Sequence, residues 1–400
     1  MQITVNKYIF VLIILLYTVF SSYEQLISII CFTIPMLNGL PGNYFIPVWL
    51  LFILFHKDDS KRNSLKYGIA FCVIVFIMEI VHYPLYNFNI DIMKVVEILS
   101  TIFLVVFLIS QNFNKDYSKP ILSFCIGCSV FLIIVVLMYM NSPELYLTGA
   151  RYSGDDHRED GVMMLALNAN MVGFFSVASV ISSLILYHYK KISLTICLLL
   201  VITSFIGGAY TISRTWAICL TLALMVFFFL RKGRRIYGLI IFGLVAVAVT
   251  YWSMTTDIGL IDMFYERFTQ GDFSSAGART DITALYNEFL INNPFELLFG
   301  TSALLYKNVA HLEPSIHNGT QQILVSYGII GLFVFIYFTY LAFKKYYIKG
   351  EVISTIPLLI SLLYIQTLQS INPGQALYPL VVSFLIMRMV KMDKQKQAIL

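Results

Sequence analysis

Charged residues are scarce in this 400-residue chain, at 12% against 58% hydrophobic residues. A soluble globular domain is usually about a quarter charged, so that class is excluded. A mean hydropathy of +0.79 points instead to a polytopic membrane protein. Short alternating segments of the outer-membrane barrel kind are also missing. In their place apolar spans recur between short polar breaks, as helical crossing requires, because a helix satisfies its own backbone groups in lipid. The opening MQITVNKYIFVLIILLYTVF lacks a small-residue cleavage pattern and is expected to be a retained segment. No P-loop, Rossmann fingerprint or nucleophile elbow is present, which leaves no place for a cytoplasmic ATPase.

Reactive side chains are few as well. Cys31, Cys72, Cys125, Cys128, Cys197 and Cys219 all fall inside apolar spans. Cys125 and Cys128 have CxxC spacing, but without a second pair or polar surroundings they read as packed thiols rather than a metal or redox site. His311 and His317 lack well-spaced carboxylate or thiol partners, so no metal and no cofactor is expected.

The net charge of +5 would suggest nucleic acid in a soluble protein, but its placement explains it better. Lys57, Lys61, Arg62 and Lys66, Lys190 and Lys191, Arg231 to Arg235, Lys344, Lys345 and Lys349, and the tail from Arg388 to Lys396 all lie in short breaks or at an end. That is the positive-inside pattern, and no nucleic-acid partner is expected.

Candidate crossings are 8–22, 26–38, 43–56, 65–83, 92–110, 120–140, 161–187, 191–208, 212–230, 235–254, 322–343, 351–370 and 375–390. The expected fold is therefore all-α: one integral membrane domain over 1–400, a bundle of about twelve to fourteen transmembrane helices. With RKGRR cytoplasmic, 84–91, 141–160, 209–211, 255–321 and 371–374 lie outside, and the C-terminus lies inside. The segment 8–38 either crosses twice or crosses once with a bend near Ser21 and Ser22, so the side of the N-terminus stays open.

Polar content gathers in the expected outer loops. The smaller, 141–160, carries Arg151 and a mixed-sign run from Asp155 to Asp160, whose simplest reading is a solvated loop. Asn168 and Asn170 follow at the head of a span, suited to helix packing or to a polar cavity. Arg214 follows the short corner GGAYTIS, where Gly207 and Gly208 allow close backbone approach. Its guanidinium either snorkels to the interface or turns inward to hold an anion such as phosphate.

The large loop, 255–322, is expected to contain amphipathic helices that lie on the membrane or roof the bundle. GDFSSAG reads as a turn, and RTDITALYNEFLINNP as a helix with Ile282, Leu285, Tyr286, Phe289 and Leu290 on one side, ended by Pro294. Arg279 then sits at a helix start, where the dipole disfavours a cation. Either a salt bridge to Asp281 or Glu288 compensates, or a phosphate binds there to guanidinium and free N–H groups together. His317 and Asn318 precede the next span. His317 reads either as a hydrogen-bonded surface residue or as a proton acceptor near neutral pH.

ISRTW after a short corner, SSAGARTDITALYNEFLINNPFELLFG in a long loop and SIHNGTQQILVSYGIIGLFVF, in that order, resemble the O-antigen polymerase and O-antigen ligase superfamily. RYSG followed by LNANMVGFF resembles its earlier loop segment. The resemblance covers about residues 145–345. It implies an inverting membrane glycosyltransferase of the bacterial cytoplasmic (inner) membrane, acting on undecaprenyl-diphosphate-linked oligosaccharide at the extracytoplasmic face. It assigns catalytic roles to Arg214, Arg279 and His317, and substrate-binding roles to Arg151, Asn170 and Asn318. A polymerase of O-antigen or capsular polysaccharide is the preferred member, because the mid-region departs from the ligase pattern. A ligase that moves the polymer to another acceptor is the alternative, and a lipid-linked saccharide transporter or flippase the second. Implied partners are the lipid-linked substrate, membrane lipid, and a chain-length regulator and flippase of the same pathway.

Overall fold

The computed structural model describes residues 7–36, 49–54, 62–111, 116–141, 169–211, 213–231, 273–312, 315–316, 318–367 and 377–399. Every regular element among them is helical. In chain order these are α1 (Lys7–Val19), α2 (Tyr23–Thr33), α3 (Arg62–Ile80), α4 (Ile92–Ser110), α5 (Ser118–Asn141), α6 (Ala169–His188), α7 (Leu194–Ala209), α8 (Arg214–Leu230), α9 (Phe273–Asn292), α10 (Pro294–Phe299), α11 (Tyr306–Ala310), α12 (Gly319–Tyr346), α13 (Ile356–Ile365) and α14 (Leu377–Ile399). Five segments are long and apolar enough to cross a membrane: Ser64–Leu85, Ile92–Ser110, Ser118–Leu137, Asn170–His188 and Gly319–Tyr346. The expected crossing at 235–254 and the 142–168 loop lie outside the described residues.

The break between α1 and α2 is written locally. Ser22 caps α2 and accepts from the Gln25 N–H, while the Gln25 side chain accepts from the Ser22 N–H, a reciprocal capping box. Both helices are shorter than the roughly twenty residues a straight crossing needs.

The bundle is built around α6, whose apolar window is 83% buried, against 22% for the α3 span and 28% for α12. Helices α5, α7, α8, α13 and α14 all pack on α6. Small residues let them approach. A Cβ on Gly208 would stand 2.1 Å from the Trp216 Nε1 and 2.2 Å from the Ser176 Oγ, and one on Gly207 would stand 2.5 Å from the Leu132 Cβ. Serine hydroxyls bridge the same contact: Ser176 donates to the Ser204 carbonyl (2.6 Å), Ser204 to the Ser179 hydroxyl (2.8 Å), and Trp216 to Ser176 (3.0 Å). Cys125 and Cys128 are buried here as free thiols.

Hydrogen bonds sort the helix ends into two groups. At one end Lys191 pairs with Asp393 (2.9 Å), and Glu351 accepts from Tyr189 (2.5 Å) and pairs with Lys394 (2.9 Å). At the other, the Gln366 amide donates to Thr320 (2.8 Å), Ser213 to Asn170 (2.7 Å), and Tyr86 to Glu296. The first end gathers the described Lys191, Lys345, Lys391 and Lys394, and the second, the long-connection end, holds the 293–318 connection between α9 and α12. Arg388, the first cation of the expected basic tail and the last of the expected crossing 375–390, sides with the crossing. Helix α14 continues to Ile399, and Arg388 is buried, donating to the carbonyls of Leu108 (3.2 Å), Ile109 and Gln111 and to the Tyr346 hydroxyl.

Glu351 carries a pH dependence. Burial alone would raise its carboxyl, but hydrogen bonds from Lys394 and Tyr189 and the Lys394 charge outweigh that and hold it below the ordinary range. A carboxyl lowered on folding contributes stability above the unfolded value, about 4.3 for glutamate, and loses it as pH falls through the lowered folded value. Glu351→Gln is therefore expected to lower the melting temperature at neutral pH. The gap from wild type should close as pH drops below about 4, read by thermal unfolding in detergent across a pH series.

Candidate functional site

Of the sequence-expected site residues, Asn170, Arg214, Arg279 and Asn318 fall on described segments, α6, α8, α9 and the start of α12. Arg214 is the first residue of α8, whose cap is Ser213; the Ser213 hydroxyl accepts from the Trp216 N–H (3.3 Å) and donates to the Asn170 amide oxygen (2.7 Å). Asn170 and Arg214 thus stand at one corner. The Arg214 side chain lies outside the described residues, but its backbone position places a cation against the positive end of a helix dipole.

Arg279 does not occupy the expected position. Helix α9 begins at Phe273, so FSSAG is helical rather than a turn, and Arg279 is its seventh residue, nearly two turns in. The dipole argument therefore applies to Arg214 and not to Arg279. Serine and glycine give FSSAG a low helix propensity, yet it continues a helix whose later turns are packed. Tyr286 and Leu290 are buried against Tyr306, Ile316 and Val325, with Ile282 and Phe289 partly buried beside them. Leu285, expected on the same face, is 43% exposed. The Arg279 side chain lies outside the described residues, and so do Arg151 and His317.

Asn318 caps α12, accepting from the Gln321 N–H (3.1 Å). The Gln321 side chain then crosses to α9, donating to the Thr283 carbonyl (2.8 Å) and the Asn287 amide oxygen (3.1 Å). Thr283 is one turn beyond Arg279. The turn after His317 and the helix of Arg279 are thus fastened together. The corner at Asn170 and Arg214 reaches the same place through α13: the Phe174 and Tyr364 rings stack at 4.5 Å, and Gln366 bonds Thr320.

A second feature was not read from the sequence. The expected continuous span 322–343 is broken at Gly328 (φ 65°, ψ −170°). The turn 300–305 crosses under the break, with the Thr301 N–H donating to the Val325 carbonyl (2.9 Å) and the Ser302 N–H to the Ser326 carbonyl (3.0 Å). From α3, the buried Glu79 accepts from the Ser302 hydroxyl and from the Ala303 N–H (2.9 Å). Nearer the surface, Tyr86 donates to Glu296; burial first, and then this bond and the Glu296 charge, push the phenol well above its ordinary range. A signal for Glu79 did exist, as the one acid in CVIVFIMEIV. An ionisable group inside an apolar span is a site candidate by position alone.

No protein-family model matches the chain and no curated protein matches it, so the family resemblance rests on the motifs quoted above.

Proposed function

We propose that this protein is a membrane glycosyltransferase that joins polyprenyl-diphosphate-linked oligosaccharide units into a polysaccharide, with the long-connection end extracytoplasmic and the basic end cytoplasmic. The full bundle of about twelve to fourteen crossings belongs to this reading. The observation that carries it is the fastening of α9 to the start of α12 by Gln321, which brings the segments of Arg279 and of His317 and Asn318 together across nearly forty residues. The Asn170 and Ser213 hydrogen bond adds the Arg214 corner. An apolar groove lined by Phe71, Met78, Ile102, Tyr327, Phe335 and Phe338 opens between α3, α4 and α12 and suits a lipid-linked donor.

The chemistry needs little else. A sugar held through diphosphate already has its leaving group, so transfer needs an aligned acceptor hydroxyl and stabilisation of the departing anion. Arg214 and Arg279 clamp the diphosphate, with free N–H groups at the start of α8 adding to the Arg214 side. His317 takes the acceptor hydroxyl's proton as that oxygen attacks the anomeric carbon with inversion; the new C–O bond forms as the bond to the diphosphate oxygen breaks. Asn318 fixes the turn that carries His317, and Asn170 and Arg151 bind saccharide.

Reconstitution with a defined lipid-linked oligosaccharide tests this. A product two repeat units long is expected, and relocation of intact substrate without a new glycosidic bond would replace the enzyme with a transporter. That second reading is favoured by the discontinuous helix at Gly328, a device of transporters. Transfer of the polymer to a separate acceptor instead would identify a ligase. Arg214→Lys and Arg279→Lys keep charge and lose the fork; losing one charged hydrogen bond of roughly 1.5–3 kcal/mol is expected to slow each variant by about 10–100-fold. Full activity in both would remove the clamp, and undiminished transfer by His317→Ala would remove the base.

A further inference from the structure

Glu79 lies at 0% exposure in an apolar span; its two close hydrogen bonds run to the 300–305 turn, and the Tyr327 hydroxyl of the half-helix faces the same carboxyl. Ser302 Oγ donates to one carboxyl oxygen and the Ala303 N–H to the other. A carboxyl offers two acceptors in one plane, which matches one hydroxyl and one amide donor.

The turn passes the contact on. In a continuous helix the carbonyls of Val325 and Ser326 would accept from the N–H groups four residues ahead; the break at Gly328 removes those donors. The Thr301 and Ser302 N–H groups take their place. Ser302 sits at φ 73°, a left-handed conformation that serine adopts only when its surroundings require it. Its hydroxyl on Glu79, its N–H on Ser326 and the Leu304 N–H on its Oγ (3.2 Å) supply that requirement. Above the break stands the half-helix 319–327, capped by Asn318 directly after His317.

We propose that Glu79 is a positioning residue for Asn318: its carboxyl locks the 300–305 turn beneath the break at Gly328, and the locked turn sets the height and tilt of the half-helix that Asn318 caps. What that capped end and the neighbouring His317 do rests on the glycosyl-transfer reading; the latch does not. Glu79 itself bonds the turn rather than Asn318. Glutamine keeps the shape of the latch without the charge, its amide oxygen accepting from Ala303 and its NH2 donating to Ser302 Oγ. Leucine keeps the volume and makes neither bond.

Hydrogen exchange on the full-length protein in detergent reads the latch directly. Glu79→Leu is expected to speed exchange of the amides 301–303 about tenfold or more while α6 keeps wild-type protection, Ser302→Ala to do so by less, and Glu79→Gln to stay within about twofold of wild type. In the transfer assay, Glu79→Leu is expected to lower kcat per folded molecule about tenfold at unchanged KM for the lipid-linked donor, with Glu79→Gln restoring it. Unchanged exchange in Glu79→Leu overturns the latch. Equal losses in Glu79→Gln and Glu79→Leu also overturn it, in favour of a need for charge. Faster exchange with kcat intact overturns the positioning role. Wild-type protein that makes no transfer product overturns the glycosyl-transfer reading alone, and the latch is then judged on exchange.

Discussion

Gly328→Ala is expected to cost about 3 kcal/mol or more of stability and to strip the protein of whatever activity the long-connection end carries. Two independent effects act at this position. Its φ of 65° with ψ of −170° lies where side-chain-bearing residues are strained by about 1–3 kcal/mol. The added Cβ would also stand 2.1 Å from the Leu298 carbonyl oxygen, 2.3 Å from its carbon and 2.6 Å from the Phe299 nitrogen. These are backbone atoms with no rotamer to yield, and overpacking adds about 1–3 kcal/mol. Gly350 separates the two effects, because it has φ 94° with nothing within 4 Å of its would-be Cβ. Gly350→Ala should therefore show the backbone strain alone, roughly 1 kcal/mol. Thermal unfolding of both variants in detergent checks the pair; similar losses would mean that the crossing at Leu298 is not tight.

Arg388→Leu is expected to be comparably damaging at the opposite end, by about 3 kcal/mol or more. The last carbonyls of α4 have no helical donors of their own. The Arg388 guanidinium supplies them to Leu108, Ile109 and Gln111 and lies 4.1 Å over the Tyr346 ring. Leucine would leave several buried acceptors without this donor, each costing about 1–3 kcal/mol, and would remove a cation from the negative end of a helix dipole. Lysine restores the charge but not the planar fork, so Arg388→Lys should recover only part of the loss. Melting temperature and the yield of monodisperse protein read the series. A leucine variant as stable as wild type would show that the clamp is dispensable.

Several helix boundaries were legible because an apolar span writes them into composition. The expected span 92–110 coincides with α4, while 120–140 and 212–230 fall within about two residues of α5 and α8. What escaped was decided by contacts between distant segments. SYGIIG contains Gly328 and Gly331 three residues apart, yet the helix breaks at one and continues through the other, because Leu298 crosses at the first. Helix α9 starts six residues before Arg279 despite the low helix propensity of FSSAG. Arg388 read as one more cation in a basic tail, and nothing local distinguishes it from Lys391 or Lys394. At the candidate site the motifs located the segments of Asn170, Arg214, Arg279 and Asn318. They did not show that Gln321 fastens two of those segments, since that bond depends on where α9 lies.

The separation of Glu79 from Ser302 has a consequence for biogenesis. The two are 223 residues apart, and chains are made at about 5–20 residues per second. For roughly 10–45 s after α3 leaves the ribosome, its carboxyl exists before the described groups that donate to it have been synthesised. Until the 300–305 turn arrives, that carboxyl is accommodated either by protonation or by staying near water. A chain truncated before residue 300 would retain the apolar segment and lack the partner, which makes it a natural substrate for membrane quality control.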